Sequence, residues 1–172
     1  MAHPVTPSPA PLGGRPPTAM EWRAAMGYFP SGVTIVTTWQ GAAPIGSTAS
    51  SFCSVSLEPP LLLVCLDHAN PALAPIEQCG LFGVNILGAE HLDLALRFAK
   101  DPDTDRFAGL AYRALDGGAP QLEAAPVFID CVLEHAHSGG DHTIVVGRAA
   151  RLDHAATAPP LLYHKGAFPK FP

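Results

Sequence analysis

The 172-residue chain predicts a mainly β fold, a β-barrel carrying two or three short helices. Two observations carry this reading. Short runs rich in β-branched and apolar residues outnumber the helical stretches, and no long βαβ alternation appears of the kind a doubly wound sheet needs. Hydrophobic residues make up 48% and charged residues 15%, a balance suited to one globular domain with its own core. No internal repeat is present.

The elements follow in order. Thr18 with Glu21 three residues on has capping-box form, so a short helix should follow, with Trp22, Met26 and Phe29 on an apolar face. Pro30-Ser31-Gly32 ends it. Val33 to Thr38 (VTIVTT) is dense in β-branched residues and reads as a strand. Gly41 to Pro44 is a turn, and Ile45 to Phe52 a second strand or strand-like segment. Leu61 to Leu66 (LLLVCL) is too short for a helix and suits a strand buried on both faces. Asn70-Pro71 has the form of a helix entry, with Asn as N-cap and Pro at the first helical position. Pro75 removes an early hydrogen bond, so the helix begins properly only there and stops at Gly80.

Leu81 to Leu87 is another strand, with Phe82, Val84 and Ile86 sharing a face. Ala89 to Lys100 carries Leu92, Ala95, Leu96 and Ala99 at helical spacing and ends at Asp101-Pro102. Val127 to His137 alternates Val127, Ile129, Cys131 and Leu133 on one face. Ser138-Gly139-Gly140-Asp141 then signals a hairpin into a returning strand, His142 to Arg151.

Composition excludes several function classes. A net charge of -5 without any Lys/Arg run argues against a nucleic-acid surface. Nothing approaches the run of about 18 apolar residues that reads as a membrane span. The N-terminus lacks the basic start and apolar core of a signal peptide. Met1 to Pro17, rich in Pro, Ala and Gly, reads as a disordered tail ahead of a domain over residues 18–172. Cys53, Cys65, Cys79 and Cys131 show no CxxC pair and no metal-type spacing, as expected of reduced structural thiols in a cytoplasmic protein.

Neither GxGxxG, GxxxxGK[ST] nor GxSxG occurs, so those nucleotide and hydrolase motifs do not apply. The stretch Ser47 to Ser56 holds five Ser and one Thr among strand formers. Its hydroxyls and backbone N–H groups suit phosphate or the edge of a planar heterocycle, though on composition alone the Ser-rich outer face of a strand is the plainer reading. His135 and His137, two apart on a strand, could begin a metal site, but no HExxH or Cys partner completes one; exposed strand histidines are the plainer reading. His142 follows a tight turn, where functional residues tend to sit, with Asp141 beside it to bias its charge or to cap the turn. Arg106 follows an acidic loop and suits either a phosphate or a surface ion pair.

Taken together, Phe29-Pro30-Ser31-Gly32-Val33-Thr34, Ser50-Ser51-Phe52 through Leu57-Glu58-Pro59-Pro60, and Gly80 to Leu87 resemble the flavin reductase-like family. Arg106-Phe107, Gly140-Asp141-His142 and Pro160 to Gly166 extend the resemblance, which runs in unbroken order from Met20 to Phe168. It looks most like the short reductases that feed reduced flavin to a partner monooxygenase. The resemblance implies a six-stranded Greek-key split β-barrel, a homodimer with flavin near the subunit interface, FMN or FAD as flavin, and NADH or NADPH as co-substrate. The absence of an Arg cluster for a 2′-phosphate leans towards NADH. No metal is implied.

Carried over residue by residue, Pro30, Ser31, Gly32, Val33 and Thr34 would border the isoalloxazine region. Thr48, Ala49, Ser50, Ser51, Phe52, Val55 and Ser56 would cradle ring, ribityl chain and phosphate. Cys65, Leu66, Asp67 and Phe82 would complete the pocket, with Asn70 and Arg106 as further cofactor-binding candidates. His142, the catalytic candidate, and Tyr163 would face the nicotinamide. The sequence departs from the family where a basic residue and serines commonly follow the LLLVCL-type strand: here stands Asp67-His68-Ala69-Asn70-Pro71. Asp67 opposes a phosphate, histidine is a weaker cation than arginine near neutral pH, and Asn70 with the helix start can donate hydrogen bonds. Two other classes stay open: a flavin- or haem-binding barrel module without reductase turnover, and a metal-dependent barrel enzyme using His135 and His137.

Overall fold

A computed structural model describes residues 14–99, 105–114, 116–155 and 159–170. Most of the expected tail, residues 1–13, and the expected helix stop at Asp101-Pro102 lie outside them. The chain runs α1 (Ala19–Met26), β1 (Ser31–Gly32), β2 (Thr34–Gln40), β3 (Ala43–Ala49), β4 (Phe52–Leu57), β5 (Pro60–Asp67), α2 (Leu73–Cys79) and β6 (Leu81–Ile86). A 3₁₀ turn (Ala89–His91) leads into α3 (Leu92–Phe98), followed by β7 (Tyr112–Ala114), β8 (Pro120–Leu122), β9 (Val127–Gly139), β10 (His142–His154) and β11 (Leu162–Tyr163).

The main sheet has seven antiparallel strands in the order β3-β2-β6-β9-β10-β5-β4. Its two edges, β3 and β4, are joined through Ser50-Ser51, so the sheet curls into a barrel that stays split there. The mainly β expectation holds, with one refinement. The strand expected over Ile45 to Phe52 breaks at Ser50-Ser51, and the Ser-rich stretch after it becomes an additional edge strand, β4. A cis peptide at Glu58-Pro59 lies in the turn from β4 to β5.

Two apolar clusters back the sheet. Val36, Leu62, Val64, Leu66, Phe82, Val84, Cys131 and Val145 fill one side together with Ile76 of α2. Val33, Ile35, Leu87, Phe107 and Leu122 fill the other with Ala95 and Phe98 of α3. Strand β2 therefore lies between two cores and is buried on both faces from Thr34 to Thr38. Strand β5 is not, contrary to the reading of its apolar run. Leu62, Val64 and Leu66 are buried, while Leu61, Leu63 and Cys65 are only half-buried. The start of α2 is also corrected. Helix begins at Leu73, after an Asn70 turn in which Asn70 Oδ1 accepts from Ala72 N at 3.0 Å, and Pro75 is tolerated within its first turn. Gly80 ends it in the left-handed conformation, φ 71°, as expected.

The capping box forms: Thr18 Oγ1 accepts from Glu21 N and Glu21 Oε2 accepts from Thr18 N. Such a cap stabilises a helix by about 1 kcal/mol. The apolar face expected on α1, however, packs on no core, and Met20, Trp22, Met26 and Phe29 are all exposed.

Buried polar groups tie the small β7–β8 hairpin to the barrel. Asn85, fully buried on β6, donates to Ile35 O and Thr37 Oγ1 and accepts from Leu122 N at 2.9 Å. Thr37 Oγ1 in turn donates to Pro120 O at 2.6 Å.

Close packing dictates one glycine in the central hairpin. A Cβ on Gly147 of β10 would lie 2.3 Å from Phe82 Cζ and 3.0 Å from Cys131 Cβ. Phe82 is fully buried and cannot swing out of the way. Gly147→Ala should therefore destabilise the protein by about 1–3 kcal/mol, the usual range for overpacking, seen as a lowered thermal or urea midpoint. An unchanged midpoint would show that the Phe82 ring has room to shift.

Candidate functional site

An open groove of about 1130 Å³ lies where α1, the β1–β11 pair, the β3–β4 corner and the start of β10 meet. Each side chain arrives for a local reason. Ser31 pairs with Tyr163 across the two-stranded β1–β11 sheet. Ser50 and Ser51 stand at the corner where the chain leaves one edge of the barrel for the other. The two-residue loop Gly140-Asp141, with Gly140 at φ 79°, returns the chain so that His142 sits opposite Asp67 of β5.

The corner is fastened. Ser51 Oγ donates to Cys65 O at 2.6 Å, and Cys65 N donates to Ser51 O at 3.1 Å. Asp141 O accepts from His68 N, binding the hairpin tip to the chain after β5. Asp141 Oδ1 lies 2.7 Å from His142 Nδ1. An ionised carboxylate only accepts, so Nδ1 carries the proton and Nε2 is left for a ligand. The hydrogen bond from His142, helped by its charge, holds the Asp141 carboxyl below the usual carboxylate range.

Of the residues read from sequence, the structure brings Ser31, Ser50, Ser51, His142 and Tyr163 together in the groove. Pro30 and Gly32 flank Ser31 without lining it. Val33, Thr34, Ala49, Leu66 and Phe82 turn their side chains into the core, so only their backbone is left to serve a ligand. Thr34 and Thr48 spend their hydroxyls on Ala49 O and Ala95 O. Phe52 packs half-buried on the barrel core, and Val55 and Ser56 continue along the outer edge strand.

Asp67, Asn70 and Arg106 stand outside the groove lining. Asp67 folds its carboxylate back onto Ala69 N at 2.7 Å. Asn70 places its amide nitrogen 3.1 Å from Ser47 Oγ and is engaged in local structure. Arg106 does not line the groove; it is buried, and its guanidinium donates to Gly46 O at 2.7 Å. Burial raises the Cys65 thiol above its ordinary range. His135 and His137 are exposed with ring centroids 5.4 Å apart. Among the described residues no third His, Cys, Asp or Glu joins them at ligand distance.

The groove also holds residues that the sequence did not mark as functional: Trp22, Arg23, Met26, Tyr28, Lys165 and Gly166. The exposed apolar face of α1 is the signal that could have found the first of them. Trp22 and Met26 follow helical spacing, yet α1 contributes no buried residue, which leaves their face for something other than the core.

The chain is thus a split-barrel protein with a wide, hydroxyl- and aromatic-lined groove at its open corner. The model of the flavin reductase like domain matches residues 26–172, and the chain belongs to that family. The reductase subunit HsaB of a flavin-dependent monooxygenase from Rhodococcus jostii is 39% identical over 149 residues, covering 86% of this chain and 75% of that protein. An NADH:FMN oxidoreductase of Rhodococcus erythropolis is 37% identical, covering 87% of this chain and 80% of that protein. The solved structure of the NADH:FAD oxidoreductase SgcE6 from Streptomyces globisporus superposes with a TM-score of 0.85 at 33% identity, covering 96% of this chain and 99% of that one. The same enzyme is also known in complex with NAD and FAD fragments.

The Asp141–His142 pair gives a pH prediction. The folded Asp141 carboxyl titrates below its ordinary value, so the interaction is fully present above that value and is lost as pH falls through the depressed one. His142→Ala should return the Asp141 carboxyl towards the ordinary carboxylate range, read by carboxyl-carbon NMR titration. An Asp141 titration that does not move would show that His142 is not its partner in solution.

Proposed function

We propose that this protein is an NAD(P)H:flavin oxidoreductase, transferring a hydride from a reduced nicotinamide to FMN or FAD and supplying the reduced flavin to a separate monooxygenase. The observation that carries the reading is the groove itself, which joins the Ser50-Ser51 corner, Ser31, Tyr163 and an aspartate-held His142 in one space. Relatives named as flavin reductases and monooxygenase reductase subunits, together with the SgcE6 complex, support both the reaction and the pair of nucleotides. An NADH:FMN oxidoreductase among the relatives and an NADH:FAD oxidoreductase among the structures favour NADH as donor and leave both flavins in play.

The groove residues fit such ligands. Trp22, Met26 and Phe29 offer apolar surface to a planar ring, and Ser31, Ser50 and Tyr163 offer hydroxyls at its edge. The bound flavin and nicotinamide supply the hydride chemistry, so the protein needs neither a triad nor a strong base. Its own work is placement. The β5–β10 register and Asp141 fix the His142 ring, whose Nε2 is free to hydrogen-bond the nicotinamide nucleotide and hold it over the flavin. Ser51, engaged with Cys65, keeps the corner backbone rigid against the ring.

We further propose a homodimer acting in the reducing cytoplasm. Met20 of α1, 79% exposed, and Leu57 of β4, 90% exposed, lie outside the groove lining and support an apolar interface. All four cysteines are free, which suits a reducing compartment. Sedimentation should report twice the 18.0 kDa chain mass. A monomer at micromolar concentration would remove the dimer.

For the reaction, mixing protein, FMN or FAD, and NADH should produce flavin-dependent loss of the reduced-nicotinamide absorbance. His142→Ala should lower that rate about tenfold or more, while the flavin dissociation constant changes little. Flavin binding without NADH oxidation by the unaltered protein would favour a binding module instead.

A further inference from the structure

We infer that Lys165, supported by Arg23, is the anion-binding point of the groove and takes the phosphate of a bound nucleotide. This deepens the nucleotide-site reading above and rests on it.

The chain carries 15 acidic against 10 basic residues, yet none of the groove-lining residues is Asp or Glu. Two of them are permanent cations, Arg23 of α1 and Lys165 of the turn after β11. Neither forms an ion pair among the described residues. The carboxylates of Asp141 and Asp67 cluster with His142 at the start of β10, so an anionic ligand is drawn to the Arg23 and Lys165 side of the groove rather than to that end.

The backbone adds an independent observation. Lys165 is the one non-glycine residue with positive φ among the described residues, at 51°. With Gly166 at φ 77° and paired hydrogen bonds between His164 and Ala167, it occupies the first central position of a two-residue hairpin turn. Asn or Asp is favoured there, and lysine is not. Turn formation therefore does not account for a lysine at this position, whereas a charge presented to the groove does.

The turn is also placed. Lys165 N donates to Gly27 O at 3.0 Å, docking it on the end of α1. The ammonium lies 3.5 Å from the Tyr28 ring centroid, which holds it by cation–π attraction at the groove wall. An exposed aromatic face can yield the ammonium to a phosphate, because only one ordered contact is exchanged. After β5 the Asp67 carboxylate and the Asn70 amide are occupied locally.

Two sources share this chemistry, the phosphate of FMN or FAD and the pyrophosphate of the nicotinamide nucleotide. The test measures equilibrium dissociation constants by calorimetry for FMN against riboflavin and for NAD⁺ against nicotinamide riboside. The unaltered protein is compared with Lys165→Asn, Arg23→Gln and Lys170→Gln. Lys165→Asn suits the turn better than lysine does, so its thermal midpoint should hold or rise. It should weaken a phosphate-bearing ligand about tenfold, the loss expected of one charge-assisted contact. Its phosphate-free counterpart should be unaffected. Arg23→Gln should act in the same direction, and Lys170→Gln, which removes an equal charge outside the groove, should not. Loss confined to FMN assigns the flavin phosphate, and loss confined to NAD⁺ assigns the pyrophosphate. Equal loss for both members of a pair, or no loss in either, overturns the inference. Because binding is read without turnover, a protein that holds FMN through Lys165 but oxidises no NADH would defeat the reductase reading and keep this one.

Discussion

The register of β10 between β5 and β9 is the constraint on which the rest depends. Strand β10 is hydrogen-bonded on both sides, from His142↔Asp67 to Arg148↔Leu61 on β5 and along its whole length on β9. A slip of one residue would turn Val145 out of the core and carry His142 away from the groove. Irregularities at Val146/Gly147 and Ala149/Arg151 absorb the curvature that the barrel demands, and Gly147 leaves the space that Phe82 fills. The same ladder therefore closes the core at one end and positions Asp141 and His142 at the other.

The split in the barrel is where this stability becomes a site. Edges β3 and β4 are not bonded to one another, and the chain turns between them at Ser50-Ser51. A closed barrel would have spent those backbone groups on a ladder. Here the corner residues Ser50 and Ser51 face a groove walled on its other sides by α1 and the β1–β11 pair. Helix α1 is held mainly by its own cap and by the docked turn at Lys165, not by core packing. Its apolar face is consequently available to a ligand or a second subunit.

Electrostatics divides the surface in a way that no local stretch of chain reveals. Arg23 and Lys165 are separated by most of the sequence, and each stands singly among ordinary neighbours. They line one groove because the β1–β11 pairing and the Lys165–Gly27 hydrogen bond fold the end of the chain against its beginning. Arg106 shows the converse. Beside an acidic loop it reads as a surface residue, yet its guanidinium is drawn inside to Gly46 O.

The mainly β class, the hairpin at Gly140 and the caps at Thr18 and Gly80 were legible in the sequence, because turn chemistry and side-chain periodicity are local properties; the family was legible through the resemblance of its ordered motifs. The place of His142 after a tight turn was legible for the same reason, whereas the break at Ser50-Ser51 was not: the stretch reads as one strand until its two halves join opposite edges of the sheet. Which face of β5 stays partly open, whether α1 packs on the core, and where the positive charge of the groove comes from were decided only by the tertiary structure. Burial and charge juxtaposition are sums over residues distant in the chain. Adjacent apolar residues look alike in sequence until neighbouring strands and helices determine which of them are covered, as Leu63 and Val64 illustrate by falling on opposite sides of β5.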